Sequence, residues 1–359
     1  MKHEGAEALG FLRGYFGGSK STFLIGGAGF DPRAAVVPRE LAAVCADRLS
    51  ALYFREERRS AEPENRAHAD ENLDILEALP GSSQFVPVNI FSEDGAVIGG
   101  RRAVAEITSS DLSSYSDIVV DLSALSKGLA FPIVKLLLEK IDLGYLKANL
   151  HLLVIENSQV DGSITATSSD KVEGIHGFGG GRTLSKAVDQ VKLWIPQLVS
   201  GLQTVADRIF DTLDPDEVCP ILPFPGHDPY LPANLLFDYR EQVENRWEVA
   251  EGGLIHAAES DPLDLYRSIL RVDSQRSAIF SGTRGALTIV SPLGSKLLSI
   301  GALLAALERD LPIVHVEAVG FDVDWSAPVW KSDGRLVHIW LAGDVYPSPG
   351  LGSESEDGA

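Results

Sequence analysis

The sequence predicts an α/β protein with mainly parallel sheets, arranged as two related halves. Short apolar runs alternate with amphipathic segments along most of the 359 residues, which is typical of strands alternating with helices. In addition, residues 118–140 and 287–309 share one design: a strand-like run, a polar turn, Ser-Lys and an amphipathic helix. Aligned on Ser-Lys, the two helices match without a gap. We therefore expect an internal duplication of two Rossmann-like halves.

The first half is predicted to span residues 1–156. Strands are expected where apolar runs end in turn residues, and helices where apolar residues recur every three or four positions. In chain order we expect a helix or arm at 1–20, a strand at 22–25, a helix at 39–50, a strand at 51–55, a solvated loop or exposed helix at 56–72, strands at 84–90 and 117–121, the first Ser-Lys helix, and a strand at 150–155.

A composition change follows the last of these strands. Residues 157–183 are rich in Ser, Thr, Asp and Gly, which predicts a long surface loop that is either a lid or disordered. In residues 184–215 apolar side chains recur at helical spacing, which predicts a helix that links the halves.

The second half is predicted to span residues 216–348, and its strands and helices again alternate. We expect, in chain order, an extended run at 220–225, a helix at 234–245, a strand at 253–258, a helix at 262–270, strands near 278 and at 286–290, the second Ser-Lys helix, and a strand at 313–319. Such alternation implies right-handed crossovers. The acidic residues 349–359 are predicted to be disordered.

Composition narrows the possible partners. The net charge of −20 argues against a broad nucleic-acid surface, which needs clustered cations, although a local pocket could still bind a small anion. The two cysteines, Cys45 and Cys219, are too few for a disulfide framework and fit a reducing compartment. The longest apolar stretch, 297–307, is far shorter than the ~20 residues that span a bilayer. We expect a cytoplasmic protein without membrane contact.

The two Ser-Lys turns are the first candidate ligand site. The first turn of a helix presents free backbone N–H groups and the positive end of the helix dipole, so it favours an anion. Serine is equally typical of a helix N-cap with no ligand. Glycine in the second turn allows a closer backbone approach, so this turn is expected to contribute more. The candidate residues are Ser123, Ser126 and Lys127 in the first turn and Ser291, Gly294, Ser295 and Lys296 in the second.

The loop GGAGFDPR at residues 26–33 is the second candidate site. Gly27 and Gly29 follow a strand as in the start of a dinucleotide or S-adenosylmethionine fingerprint, but Pro32 replaces the third glycine. The loop resembles the GAGFDTR loop of the leucine carboxyl methyltransferase group. That resemblance implies cofactor contact by Gly27, Gly29 and Asp31, although Asp31 is also typical of a turn cap. The remaining candidates are Arg33 in this loop and Asp228, which precedes a proline as Asp31 does.

Catalytic signatures are not recognisable in the sequence. It contains no nucleophile elbow, zinc-ligand spacing or paired-carboxylate pattern, and its histidines are scattered. We therefore assign no catalytic residue and no metal site.

The segment SPLGSKLLSIGALLAALE, followed by PIVHVEA, resembles the strand, turn, [ST]-Lys and helix motif of CRISPR-associated Rossmann-fold sensor domains (CARF and SAVED-like). Two such units in one chain resemble the fused sensor domains of bacterial anti-phage systems. The resemblance implies a cyclic or linear oligonucleotide ligand, bound by Ser295 and Lys296 and, through the repeat, by Ser126 and Lys127. It also implies a protein effector partner, because no nuclease, protease or membrane effector is recognisable in the chain.

Three functions remain open from the sequence. The first is a nucleotide-binding sensor or regulatory subunit with a small anionic or nucleotide ligand. The second is an enzyme that uses S-adenosylmethionine or a nucleotide cofactor, such as a methyltransferase. The third is a non-catalytic subunit of a larger complex, in which both Ser-Lys turns serve only as helix caps.

Overall fold

The computed structural model describes residues 1–18, 20–60, 62–179, 189–327 and 334–346. Its strands are β1 (Lys2–Glu4), β2 (Thr22–Gly27), β3 (Leu49–Glu57), β4 (Ser82–Asn89), β5 (Asp117–Asp121), β6 (Asn149–Glu156), β7 (Ile164–Gly174), β8 (Val191–Pro196), β9 (Glu217–Val218), β10 (Ile221–Pro223), β11 (Ile255–Ala257), β12 (Ala286–Ser291), β13 (Val314–Val323) and β14 (Arg335–Ala342).

Helices connect most of these strands. They are α1 (Gly5–Phe16), α2 (Val36–Cys45), α3 (Pro63–Glu77), α4 (Gly99–Ser109), α5 (Lys127–Asp142), α6 (Ser158–Gly162), α7 (Gln203–Leu213), α8 (Leu231–Asp238), α9 (Pro262–Phe280) and α10 (Lys296–Arg309). Short 3-10 turns at Pro32–Ala35 and Ala46–Arg48 flank α2, and a π-helical turn at Gln242–Arg246 follows α8.

The first half contains a seven-stranded sheet in the order β1-β14-β6-β5-β2-β3-β4. The five strands from β6 to β4 are parallel, whereas β14 and β1 extend the sheet in antiparallel pairs. Numbered by their appearance among the parallel strands, the five read 3-2-1-4-5 across the sheet. This is the strand order of a Rossmann-type fold, and the switch point lies between β2 and β5. The α/β prediction with a mainly parallel sheet is confirmed.

The second half repeats this strand order. Parallel pairs join β12 to β8, β8 to β9 and β10 to β11. Single parallel bridges, Gln197 to Ile221 and Val290 to Ile313, connect these pieces and lead into β13. The resulting order, β11-β10-β8-β12-β13, is again 3-2-1-4-5, with the switch point between β8 and β12.

The halves exchange their sixth strands. In the first half β14 pairs antiparallel with β6, although β14 follows β13 of the second half in the chain. In the second half β7 pairs antiparallel with β13, although β7 follows β6 of the first half. Each half therefore completes its sheet with a strand that is connected to the other half.

Several predicted elements between the halves are wrong. The linking helix at 184–215 is replaced by strand β8 and helix α7, and residues 180–188 lie outside the described residues. Because β8 is buried on both faces, its continuous apolar run reads like the next turns of a helix. The second half therefore begins at β8 rather than at residue 216. The strand predicted near residue 278 is the last part of α9.

The loop predicted at 157–183 is also wrong in its described part, which contains α6 and the eleven-residue strand β7. Strand β7 is polar, and much of it is exposed. Its pairing partner, β13, lies about 150 residues further along the chain, so no local pattern indicates the pairing. Composition therefore indicated a loop. The acidic tail at 349–359 lies outside the described residues.

One hydrophobic cluster runs through both halves. It combines Ile133 and Leu137 of α5 with Ile300 and Leu304 of α10. The two Ser-Lys helices thus belong to a shared core, and this brings their N-terminal turns to the junction of the halves. Within the described residues, no helix is both long and apolar enough to cross a membrane.

Candidate functional site

The loop after β2 packs against the protein itself. A Cβ atom on Gly27 would lie 2.9 Å from the carbonyl oxygen of Ala124, so the glycine is needed for the turn after β5 to approach. A Cβ atom on Gly29 would meet nothing within 4 Å. The Gly29 carbonyl instead accepts a hydrogen bond from Asn72 Nδ2 at 2.8 Å. In a cofactor-binding fingerprint such a glycine lets the cofactor approach the backbone. Here Gly27 instead lets the turn after β5 approach the backbone.

Asp31 and Arg33 form a buried ion pair in the same loop. Asp31 caps the 3-10 turn by accepting from the Arg33 backbone N–H at 3.0 Å, and the Arg33 Nη2 donates to Asp31 Oδ2 at 2.7 Å. Burial alone would raise the pKa of Asp31, but the Arg33 guanidinium holds it below its ordinary value. Arg33 Nη2 also bonds Asp161 of α6 at 2.7 Å.

The remaining guanidinium nitrogen of Arg33 is unpaired. Arg33 is 4% exposed, and its Nη1 is buried without a hydrogen-bond partner in the described structure. A buried guanidinium normally satisfies its donors, because an unpaired buried N–H group costs about 1–3 kcal/mol. Arg33 Nη1 is therefore a buried donor that no described residue satisfies.

A carboxylate of the protein occupies the start of α5. The backbone N–H of Ser126 donates to Glu56 Oε1 at 2.7 Å, and Glu56 Oε2 pairs with Arg58 Nη2 at 2.7 Å. Arg58 in turn pairs with Glu317 of β13, and a Cβ atom on Gly128 would clash with that Glu317 carboxylate. In dinucleotide-binding folds an acid at about the position of Glu56 binds the ribose. Here it binds Ser126 instead.

Ser123 has a structural contact in the first turn. Its buried hydroxyl accepts a hydrogen bond from the Ile155 backbone N–H at 2.9 Å and so ties the turn to β6. The neighbouring Ser126 hydroxyl has no partner among the described residues. The first-turn serines therefore show no arrangement that is specific to a ligand.

The second turn is held by a neutral side chain. Gln197 Oε1 accepts from the Gly294 backbone N–H at 2.8 Å, and Gln197 Nε2 donates to the Leu298 carbonyl at 2.9 Å. Ser295 is a conventional N-cap that accepts from the Leu298 N–H at 3.3 Å. Ser291 accepts from the Trp194 indole N–H at 2.9 Å. Ser291, Gly294 and Ser295 thus all have hydrogen-bond partners within the second half.

Lys127 bridges the two halves. Its ammonium donates to the carbonyl oxygens of Pro292 at 2.5 Å and Gly294 at 3.1 Å, both in the second turn. Burial, followed by repulsion from Lys296, lowers the pKa of Lys127 to about 8. The two lysines that the sequence repeat aligns therefore lie near each other at the junction, and one of them is bound to protein carbonyls.

Lys296 differs from its counterpart. Its half-buried ammonium makes no hydrogen bond or ion pair to any residue that the structure describes. Burial and then the positive charge of Arg33 lower its pKa, while Asp161, Asp31 and Asp121 oppose that shift. Lys296 of the second half thus lies beside the Arg33 pair of the first half. We call Arg33, Lys296, Asp31, Asp121 and Asp161 the junction cluster.

Asp121 completes the junction cluster at the carboxyl end of β5. Its carboxylate is 1% exposed and accepts the Ser123 backbone N–H at 2.9 Å. Burial raises its pKa to about 7 despite that bond and despite the charge of Lys296. Near neutral pH this carboxyl is therefore partly protonated, which weakens its repulsion of an incoming anion.

The structure brings some sequence-predicted residues together and separates others. Arg33, Asp31 and Lys296 were assigned to two different sites and meet at one junction. Asp228 is exposed and accepts the Tyr230 N–H at 2.8 Å in the turn before α8, so it is a local turn cap. It also follows β10, the second strand of its half, and is not the counterpart of Asp31. Sequence reasoning missed Asp161 and Gln197, which lie in segments assigned to a loop and a helix.

Comparison with known proteins does not identify a family for this chain. No family model matches the sequence, and no curated protein matches it either. Similar solved structures include the cytoplasmic domain of a prokaryotic cation chloride cotransporter, at 11% identity over 84% of this chain and 96% of that chain, with a TM-score of 0.23.

Two further similar structures come from Pseudomonas aeruginosa. A protein of unknown function is 10% identical over 84% of this chain and 94% of that chain, with a TM-score of 0.22. A candidate universal stress protein is 10% identical over 82% of this chain and 92% of that chain, with a TM-score of 0.20. Similarity at this level carries no argument about function.

Proposed function

We propose that this protein is a nucleotide-binding sensor or regulatory subunit whose ligand places a phosphate at the junction cluster. One observation carries the proposal: Arg33 Nη1 is buried without a partner next to Lys296, whose ammonium makes no hydrogen bond to the described residues. Asp31 and Asp161 already compensate Arg33, but burial and the charge of Arg33 still lower the pKa of Lys296 against the opposing effect of the nearby carboxylates, and a bound anion would stabilise this ammonium. A Rossmann-type fold is compatible with nucleotide binding, although the fold alone does not decide it.

The position of the junction cluster favours a regulatory role. Arg33 belongs to the first half and Lys296 to the second, so a ligand that contacts both changes the free energy of their relative arrangement. A ligand shifts a conformational equilibrium only when it binds the two states with different affinity, and contacts to both halves provide such a difference. An effector protein that recognises one arrangement would then read the signal. The motif resemblance suggests oligonucleotide messengers of anti-phage defence as one ligand class to screen.

The methyltransferase alternative has less support. Gly27 is held against Ala124, Asp31 is paired with Arg33, and Glu56 is bonded to Ser126. The groups that a fingerprint loop offers to a cofactor thus contact the protein. The alternative of a non-catalytic subunit fits the capping roles of Ser295 and Gln197, but it leaves the unpaired Arg33 nitrogen unexplained.

A thermal-shift screen of the full chain tests the proposal. The ligands are nucleoside mono-, di- and triphosphates, linear and cyclic oligonucleotides, and S-adenosylmethionine. A ligand at about 100 times its Kd stabilises by about 2.7 kcal/mol, which raises Tm by several degrees. We expect a phosphate compound to stabilise the parent and the control Lys147→Met, an exposed lysine, but not Lys296→Met.

Two outcomes would contradict the proposal. One is that no phosphate compound shifts Tm in the parent, and the other is that Lys296→Met responds as strongly as Lys147→Met. Stabilisation by S-adenosylmethionine that persists in Lys296→Met would favour the methyltransferase alternative.

A further inference from the structure

The two switch points are not equivalent as anion sites. In the first half the loop after β2 supplies Arg33 with its unpaired Nη1. In the second half the residue after β8 is Gln197. The oxygen and the nitrogen of its side-chain amide are already hydrogen-bonded to Gly294 in the second turn and to Leu298 in the helix that follows. The strand-end positions differ in the same way, because Asp121 corresponds to Ser291, whose hydroxyl accepts from Trp194.

The two aligned lysines complete this asymmetry. Lys127 faces the second turn and is bound by two carbonyl oxygens there. Lys296 lies within electrostatic range of Arg33 and Asp31 in the first-half loop and makes no hydrogen bond to the described residues. A ligand with two equivalent phosphates related by a twofold axis would find donors for only one of them.

The Arg33 donor of the first half also lies deep in the protein. Arg33 is 4% exposed and is enclosed by Asp31 and Asp161, which bind its other nitrogen atoms. An internal phosphodiester continues into sugar on both sides, whereas a terminal phosphate needs an opening on one side only. A terminal phosphate also presents three acceptor oxygens and carries about −1.5 to −2 charges at pH 7.

On these grounds, and resting on the proposed function, we propose that the chain has one phosphoryl subsite, formed by Arg33 and Lys296, and that it takes the terminal phosphomonoester of a nucleotide or linear oligonucleotide. Cyclic oligonucleotides, in which every phosphate is an internal diester, are then poor ligands. Recognition is asymmetric even though the fold is duplicated.

Isothermal titration of the full chain with matched ligands tests this inference. Each nucleoside 5′-monophosphate is compared with the 3′,5′-cyclic monophosphate of the same base and with the corresponding cyclic dinucleotide. We expect the 5′-monophosphate of the preferred base to bind once per chain and about tenfold more tightly than its cyclic form, because its additional charged oxygen accepts one more hydrogen bond. The cyclic dinucleotide should bind no more tightly than the cyclic monophosphate.

The variants Lys296→Met and Lys147→Met separate the two levels of the proposal. If a cyclic dinucleotide binds more tightly than the 5′-monophosphate, or if two phosphate ligands bind per chain, and the binding is lost in Lys296→Met, the single-subsite inference is wrong while the proposed function stands. If none of these compounds binds, or if Lys296→Met and Lys147→Met bind them equally, the single-subsite inference is wrong, and the proposed function is wrong as well when the thermal-shift screen also finds no phosphate compound whose effect depends on Lys296.

Discussion

In the first half the Ser-Lys helix begins against the carboxylates of Glu56 and Glu317, whereas in the second half it begins against the neutral amide of Gln197. Both helices start at the lysine after a serine cap, so the repeat preserved the backbone. The polar contacts around the turns diverged. Shared packing therefore explains the helices, while the candidate ligand site lies where Arg33 Nη1 and the Lys296 ammonium have no hydrogen-bond partner among the described residues.

The largest expected effect concerns the strand-end pair of Asp121 and Ser291. The pKa of Asp121 is raised from 3.8 to about 7, so its protonated form stabilises the folded state below about pH 4, and that contribution is lost as pH rises through 7. Asp121 therefore contributes a fall in the free energy of unfolding with pH in this window, by at most about 1.4 kcal/mol per unit, whereas the buried His151, His315 and His338, whose pKa values are lowered, contribute rises. Asp121→Asn keeps an acceptor for Ser123 and should remove only the falling contribution, so urea unfolding at several pH values should give the variant a more positive slope than the parent.

Asp117 at the other end of β5 is the matched control. Its pKa is lowered to about 2, because hydrogen bonds from His151, Ser116 and Tyr15 outweigh its burial. Its stabilisation is therefore lost only as pH falls below about 4, and Asp117→Asn should leave the slope between pH 5 and 7 unchanged. Equal slopes in Asp121→Asn and the parent would show that Asp121 titrates normally.

A smaller effect is expected at the contact between β2 and the first turn. Gly27→Ala forces a methyl group against the Ala124 carbonyl, which is backbone and cannot rotate away, so we expect a loss of about 1–3 kcal/mol in urea unfolding. Gly29→Ala points into open space and should change stability by less than about 0.5 kcal/mol. Equal effects of the two substitutions would mean that the first turn does not pack on Gly27.

The smallest effect separates the two aligned lysines. Lys127→Met removes two hydrogen bonds between the halves and should cost about 1–2 kcal/mol. Lys296→Met removes a desolvated ammonium that has no hydrogen bond to the described residues, so it should be neutral or slightly stabilising without ligand. Urea unfolding of the two variants measures both values. A larger loss in Lys296→Met would indicate that Lys296 is a structural residue.

The sequence predicted the repeated helices well because their signals are local. A serine cap, a periodic apolar face and a preceding apolar strand are all readable in one segment, and α5 and α10 begin at the predicted lysines. Strand β8 was missed because a strand buried on both faces has no alternation to distinguish it from a helix. Strand β7 was missed because its pairing with β13 is non-local.

The candidate site was predicted in pieces. Arg33 and Lys296 were both named, but as members of separate sites, because their proximity depends on how the halves pack. Asp161 lay in a segment predicted as a loop and gave no signal of its own. Arg33 Nη1 lacks a hydrogen-bond partner because of how the folded chain packs around it, and no residue spacing in the sequence indicates this.

The exchanged strands β7 and β14 connect the two halves of the duplicated chain, because each pairs with a strand of the other half. Cutting the chain between β7 and β8 would not release a domain, since each fragment would carry away a strand of the other's sheet and expose unpaired backbone. The two halves therefore form one mechanical unit despite their separate strand orders. Any movement of one half against the other would therefore have to strain two antiparallel strand pairs, β7 with β13 and β14 with β6.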